Sequence, residues 1–148
     1  MELQRKQDTS VTTYIENLLS GTPFIKIISE YKDDVLDVPS IAIKTGNTTG
    51  EDFELGNKNV LLVRTYFIDI FALNITQRND YAYKIFNELT KNPIPVYNYD
   101  EGFVDPSRLG TLKFLRGRIQ PIDIIQELVD KMHYRSQVTY IAVYDEHD

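Results

Sequence analysis

No cysteine occurs among the 148 residues, which removes disulfides, thiolate zinc sites and a cysteine nucleophile together. Long apolar runs are missing too. No stretch approaches the roughly 18 residues that a membrane-crossing helix needs, so no membrane partner is expected. The opening MELQRKQD is polar and has neither an apolar core nor a small-residue cleavage site, so a signal peptide is not indicated. Histidine is scarce. His133 and His147 are the pair present, and their spacing matches no recurrent zinc pattern.

Short catalytic signatures are also wanting. GNTTG at 46–50 is followed by no Gly-Lys-Ser/Thr and does not lie between a strand and a helix, so it is no phosphate loop. There is no G-x-S-x-G elbow and no H-E-x-x-H. Positive charge is in deficit, with 16 Lys and Arg against 22 Asp and Glu and a net charge of −6. Sequence-independent DNA binding works by cations neutralising phosphates, and this balance argues against it. No catalysis, cofactor or metal is expected.

What remains is ordinary globular material, 42% hydrophobic and 26% charged. The length suits one domain, which buries roughly 70% of its unfolded surface without a covalent staple. The polar ends, 1–8 and 145–148, read as loose. From Thr9 to Ser20, Val11, Tyr14, Ile15, Leu18 and Leu19 fall on one helical stripe, with Asp8, Thr9 or Ser10 as cap and Gly21 and Pro23 as stop.

β-rich sequence follows. Phe24 to Ser29 and Pro39 to Lys44 are strand candidates, and Tyr31 to Val38 carries the charged turn Lys32-Asp33-Asp34. GNTTGEDFELGNKN, 46–59, reads as a long loop or projecting hairpin tip that makes contacts. VLLVRTYFIDIFAL, Val60 to Leu73, is the strongest strand, apolar on both faces and therefore expected to be covered on each side for much of its length. Asn74 or Thr76 caps a second helix over about 77–91, whose stripe is Tyr81, Ala82, Ile85, Phe86 and Leu89. The prolines of PIPVYNY push that segment to a sheet edge. Asp100 to Gly110 reads as loop, and Thr111 to Ile119 and Gln137 to Tyr144 as the last strands. PIDIIQELVDKMHY between them reads as a strand running out into a loop, with a short helix as the alternative. The fold class is α+β, a mostly antiparallel sheet flanked by two helices in one domain.

Two features invite a chemical reading. Asp69 lies mid-strand between Phe67 and Phe71, where a carboxylate is costly unless paired. It is either a general base, with His133 as the accompanying group of a small enzyme or ligand-binding protein, or one half of an ion pair with Arg64, Arg78 or Arg135. The ion pair is preferred, because no nucleophile or ligand set accompanies it. Arg108, Lys113, Arg116 and Arg118 are the densest cations, with Phe114 among them. They suit either nucleic-acid contact or an acidic patch on a neighbouring subunit, and the net charge favours the subunit. The ten tyrosines and seven phenylalanines fit core and protein interface equally well.

VRTYFIDIFALNITQRNDYAYKIFNEL (Val63 to Leu89) and MHYRSQVTYIAVYDE (Met132 to Glu146) together carry a likeness. The first has Tyr66, Ile68, Asp69, Ile70, Phe71 and Ala72 on a long strand, then Arg78 and Asp80 at the start of a helix. The second opens a final strand with Tyr134-Arg135. The chain resembles the small tail-terminator, tail-completion or neck proteins of tailed bacteriophages. The resemblance implies a virion protein, made in the host cytoplasm, that forms a homo-oligomeric ring at the tail or neck. The ring would hold six copies, or twelve for a neck or head-completion adaptor. Its partners would be tail tube and neck or connector proteins, with DNA passing the lumen unbound. Interface residues are then expected at Asp52, Phe53, Glu54 and Leu55 in the 46–59 segment, at Arg78, at Arg108, Arg116 and Arg118, and at Tyr134 and Arg135.

Overall fold

The computed structural model describes residues 2–20, 26–28, 40–52, 60–122 and 134–146. Among them the order is α1 (Leu3–Leu18), β1 (Lys26–Ile28), β2 (Ser40–Asp52), β3 (Val60–Ala72), α2 (Ile75–Lys91), β4 (Ile94–Asn98), β5 (Ser107–Ile122) and β6 (Tyr134–Glu146). The strands form one sheet in the order β1-β2-β3-β6-β5-β4. The short β1 runs parallel to β2, and every other pairing is antiparallel. The fold is α+β and mostly sheet.

Side chains alternate across a strand, and the register fixes which share a face. On one face Ile41 and Ile43 stand opposite Ile70 and Ile68, and Tyr66 and Ile68 opposite Tyr140 and Val138. Ala142 and Tyr144 meet Phe114 and Leu112, and Leu112 meets Ile94. Val11, Ile15 and Leu19 of α1 and Tyr81, Ala82, Ile85 and Leu89 of α2 join these residues in one buried cluster, with Tyr14, Leu18 and Phe86 partly buried against it. Both helical stripes therefore fall where their spacing puts them. The other face of β3 is less covered than its composition suggests. Asp69 and Phe71 are buried there, but Val63, Thr65 and Phe67 are half-buried and Leu73 is exposed.

An aromatic series runs through the core. Phe86 of α2 stacks on Tyr140 with ring centroids 5.8 Å apart. Tyr140 meets Phe114 edge-on at 5.6 Å, and Phe114 meets Tyr66 at 5.8 Å. Such pairs add about 0.5–1.5 kcal/mol each beyond area burial. The Tyr140 hydroxyl donates to Phe86 O at 2.7 Å and lies 2.6 Å from Thr90 Oγ1, so a buried polar tip is satisfied from the helix. Room for this ring comes from β5. The β5–β6 register shifts between Leu115 and Arg118, Arg116 takes a left-handed φ of 54°, and a β-carbon on Gly117 would lie 2.4 Å from Tyr140 Cε1. This is a β-bulge whose second residue has to be small.

Several boundaries differ from those the sequence predicts. Helix α1 starts at Leu3 rather than near 9, so most of the supposedly loose N-terminus is helical. Gln7 and Ser10 are buried, Lys6 Nζ pairs with Asp100 at 2.9 Å, and tertiary partners thus order polar residues that carry no apolar periodicity. No side chain caps this helix, against the expected Asp8, Thr9 or Ser10. Helix α2 starts at Ile75, and Asn74, one of the two expected caps, accepts from Gln77 N at 2.8 Å. Residues 46–52, expected in a long loop or projecting hairpin tip, belong to β2 and pair antiparallel with β3 across a register shift between Thr45 and Thr48. The rest of that segment, 53–59, lies outside the described residues. Ser107 to Gly110, expected as loop, open β5, and Tyr134 to Ser136 and Asp145-Glu146 extend β6. The expected helix-or-loop at 123–133 and the turn at 32–34 also lie outside the described residues.

Two outcomes test this packing. Gly117→Ala is expected to lower unfolding stability by about 1–3 kcal/mol, the cost of overpacking a filled site, read as a drop in the denaturant midpoint at unchanged slope. The second concerns Tyr14, whose hydroxyl donates to Glu88 Oε1 at 2.5 Å and ties α1 to α2. Burial, then the hydrogen bond to Glu88 and its charge, push this phenol from 10.0 up to about 12. A raised phenol favours the folded state fully below pH 10, and that contribution fades as pH climbs from 10 through about 12. Tyr14→Phe is expected to shallow the alkaline fall of stability over that window, measured by melts from pH 9 to 12.

Candidate interaction surfaces

Strand β3 carries two charged residues, Arg64 and Asp69, and an odd separation sends them to opposite faces of the sheet. Arg64 points into the helix side. Its Nη1 donates to Gln7 Oε1 at 2.9 Å, to Gln4 O at 3.1 Å and to the Tyr66 hydroxyl at 3.0 Å, and lies 2.9 Å from Asp8 Oδ1. The Tyr66 hydroxyl donates onward to Asp8 at 2.8 Å. Burial foremost, with the Asp8 charge beside it, pushes this phenol far up, so it stays a donor at any physiological pH. Arg64 is 4% exposed, and the group anchors the first turns of α1 on the sheet. Gln7 Nε2 is left buried without a partner. Sequence reasoning missed this network because Gln4, Gln7 and Asp8 lie in the stretch read as a loose tail.

Asp69 lies on the outer face, 1% exposed. Arg135 Nη2 reaches its Oδ1 at 3.0 Å, and Gln137 Nε2 donates to the same oxygen at 3.0 Å. Both donors come from β6, where Gln137 stands directly opposite Asp69 and Arg135 opposite Phe71. The guanidinium also covers the Phe71 ring, 5.3 Å from its centroid. Of the three partners the sequence offers, Arg135 is the one engaged. Arg64 is across the sheet, and Arg78, half-buried on α2, donates to Asn79 Oδ1 at 3.2 Å. The carboxylate is thus a hydrogen-bonded ion-pair acceptor. His133, its suggested companion, lies outside the described residues.

The expected contact residues are not brought to one place. Asp52 ends β2, while Phe53, Glu54 and Leu55 lie outside the described residues. Tyr134 is half-buried at the start of β6, and Arg135 is committed to Asp69. The cations of β5 are exposed. Arg108 folds back on its own strand, with Nη2 donating to Thr111 Oγ1 at 2.6 Å, and Lys113 lies 3.7 Å from Asp145 Oδ2. Arg118 donates to Gln120 Oε1 at 3.4 Å. Among the described residues neither Arg116 nor Arg118 has a carboxylate partner. Phe114, the suggested stacking aromatic, points to the opposite face and is buried between Tyr66 and Tyr140, so the cations have no base-stacking ring beside them from that position.

The two sheet edges differ. On β4, Pro95 supplies no amide hydrogen, and the Tyr97 amide donates to Ser10 Oγ of α1 at 3.1 Å. This edge is blunted. On β2, β1 pairs with Ser40 to Ala42, and no described strand pairs with the outer edge from Ile43 to Asp52. No family model matches the chain, and no curated protein matches its sequence significantly.

Removing one half of a buried ion pair leaves the other charge uncompensated. Arg135→Ala is therefore expected to cost about 3–5 kcal/mol of unfolding stability. The double variant Asp69→Leu with Arg135→Met should recover most of that loss. A chemical-denaturation cycle measures both, and equal losses from the single and the double change would refute the pairing account.

Proposed function

We propose that this chain is a structural virion protein of a tailed bacteriophage, assembling as a ring at the head-proximal end of the tail and joining tail tube to neck. The observation that carries the reading is the β3–α2–β6 unit. The long strand Val60–Ala72 passes through Leu73 and a capping Asn74 straight into α2, and the strand opened by Tyr134-Arg135 lies beside β3 along nearly its whole length. Those are the two stretches on which the likeness to tail-terminator and neck proteins rests. The ion pair between Asp69 and Arg135 ties one stretch to the other, which gives both a shared structural reason.

The work of such a ring is mechanical. Closed rotational symmetry requires each copy to offer two different surfaces, one for each neighbour. Among the described residues both helices lie on one face of the sheet and no strand pairs with the outer edge of β2 from Ile43 to Asp52, so that edge and the exposed parts of the outer face would serve such contacts. The net charge of −6 would keep DNA from adhering as it passes. Purified protein is expected to show rings with a central hole in negative-stain micrographs, and six times the chain mass by light scattering. A count of twelve would favour the neck adaptor. A strict monomer at every concentration, absent from virions, would overturn the proposal.

A further inference from the structure

The loop joining β4 to β5 is a built projection. Asp100 N donates to Asn98 Oδ1 at 3.1 Å, and Gly102 N donates to Tyr99 O at 3.1 Å. Gly102 takes a φ of 100°, and Asp105 a left-handed 47°. The buried Tyr99 supports the Phe103 ring, with centroids 5.0 Å apart. Held this way, Phe103 is 70% exposed and Val104 87%. Two adjacent apolar side chains thus stand in water on an ordered turn, with Glu101 and Asp105 on either side. Neither of these carboxylates has a cationic partner among the described residues.

The reverse arrangement occurs further along the same hairpin. Leu115 is 49% exposed on the outer face, opposite Ile141. Arg116 and Arg118 flank it without carboxylate partners among the described residues, and the bulge turns Arg116 outward at the left-handed φ that backbone sterics disfavour for a non-glycine residue. Among the described residues, an apolar tip rimmed by anions without cationic partners and an apolar spot rimmed by cations without carboxylate partners are complementary in both respects. They cannot meet within one molecule. The run from Ser107 to Leu115, at about 3.3 Å per residue, separates them by roughly 26 Å along a straight strand.

We infer that the Phe103–Val104 tip of one copy docks on the Leu115 patch of the next, Glu101 and Asp105 against Arg116 and Arg118, in a head-to-tail contact between copies of this chain. The contact deepens the ring proposal and rests on its premise that the chain self-assembles. Two different surfaces meet, as a closed ring demands.

Charge reversal tests it. Glu101→Lys with Asp105→Lys makes the tip basic, and Arg116→Glu with Arg118→Glu makes the patch acidic. All four positions are exposed, so each double variant is expected to melt like the parent. Each alone should need on the order of a hundredfold more protein to assemble, because attractive pairs become repulsive. An equimolar mixture should restore assemblies of the parent's size, with the two variants alternating, as read by light scattering and native mass spectrometry. Parent-sized assembly by either variant alone overturns this contact while leaving the ring intact. So does disassembly that mixing fails to reverse. A parent protein that stays monomeric overturns the ring proposal itself.

Discussion

The packing of α2 on the sheet is organised around the Tyr140 ring and the absence of a side chain at Gly117. The ring fills the space between α2 and the centre of the sheet, and its hydroxyl reaches the backbone of the helix at Phe86. With 2.4 Å between Tyr140 Cε1 and where a β-carbon would stand, β5 can pass this point only as glycine. The extra residue of the bulge then turns Arg116 out of the sheet. One steric condition in the core therefore decides the placement of a surface cation, linking packing to the chemistry of the outer face.

The second organising fact is the parity of β3. Arg64 and Asp69 look like natural partners in the sequence, yet their spacing puts them on opposite faces, and each finds its own counter-charge. Arg64 fastens α1 through Asp8, Gln7 and the Gln4 carbonyl, whereas Asp69 fastens β6 through Arg135 and Gln137. The two pairs do different work. The first holds a helix whose N-terminal half has little apolar surface of its own. The second binds adjacent strands, with the guanidinium lying over an aromatic ring, an arrangement that arginine's planar, weakly hydrated head group favours.

Where a single physical signal sufficed, the elements were legible in the residues. The stripes of both helices, the Asn74 cap, the long β3, the edge position of the proline-bearing β4 and the pairing of Asp69 with an arginine all follow from periodicity, capping chemistry or the cost of a buried charge. What escaped depended on contacts distant in sequence. Leu3 to Asp8 are helical because Arg64 and Asp100 receive Gln7, Asp8 and Lys6. Gly46 to Asp52 are strand because β3 pairs with them, although their glycines and polar side chains suggest a loop. The bulge at Arg116-Gly117 has no local signature beyond one glycine, since the demand for it comes from Tyr140 on the neighbouring strand. The candidate contact residues divide likewise: the exposed arginines of β5 stood out by charge density, whereas Phe103 and Val104 did not, because an apolar pair in a loop is informative only once its exposure is known.

The blunted β4 edge has a consequence for how copies can add to one another. Proline at 95 and the amide of Tyr97 tied to Ser10 leave β4 with little to offer an incoming strand. β4 shields β5 only as far as Leu112, and no described strand pairs with the same side of Lys113 to Ile122. Were copies to add by strand pairing on this side, they would have to do so along that part of β5, and a contact at β4 itself would have to be specified by side chains, which can fix an angle as a repeating ladder cannot.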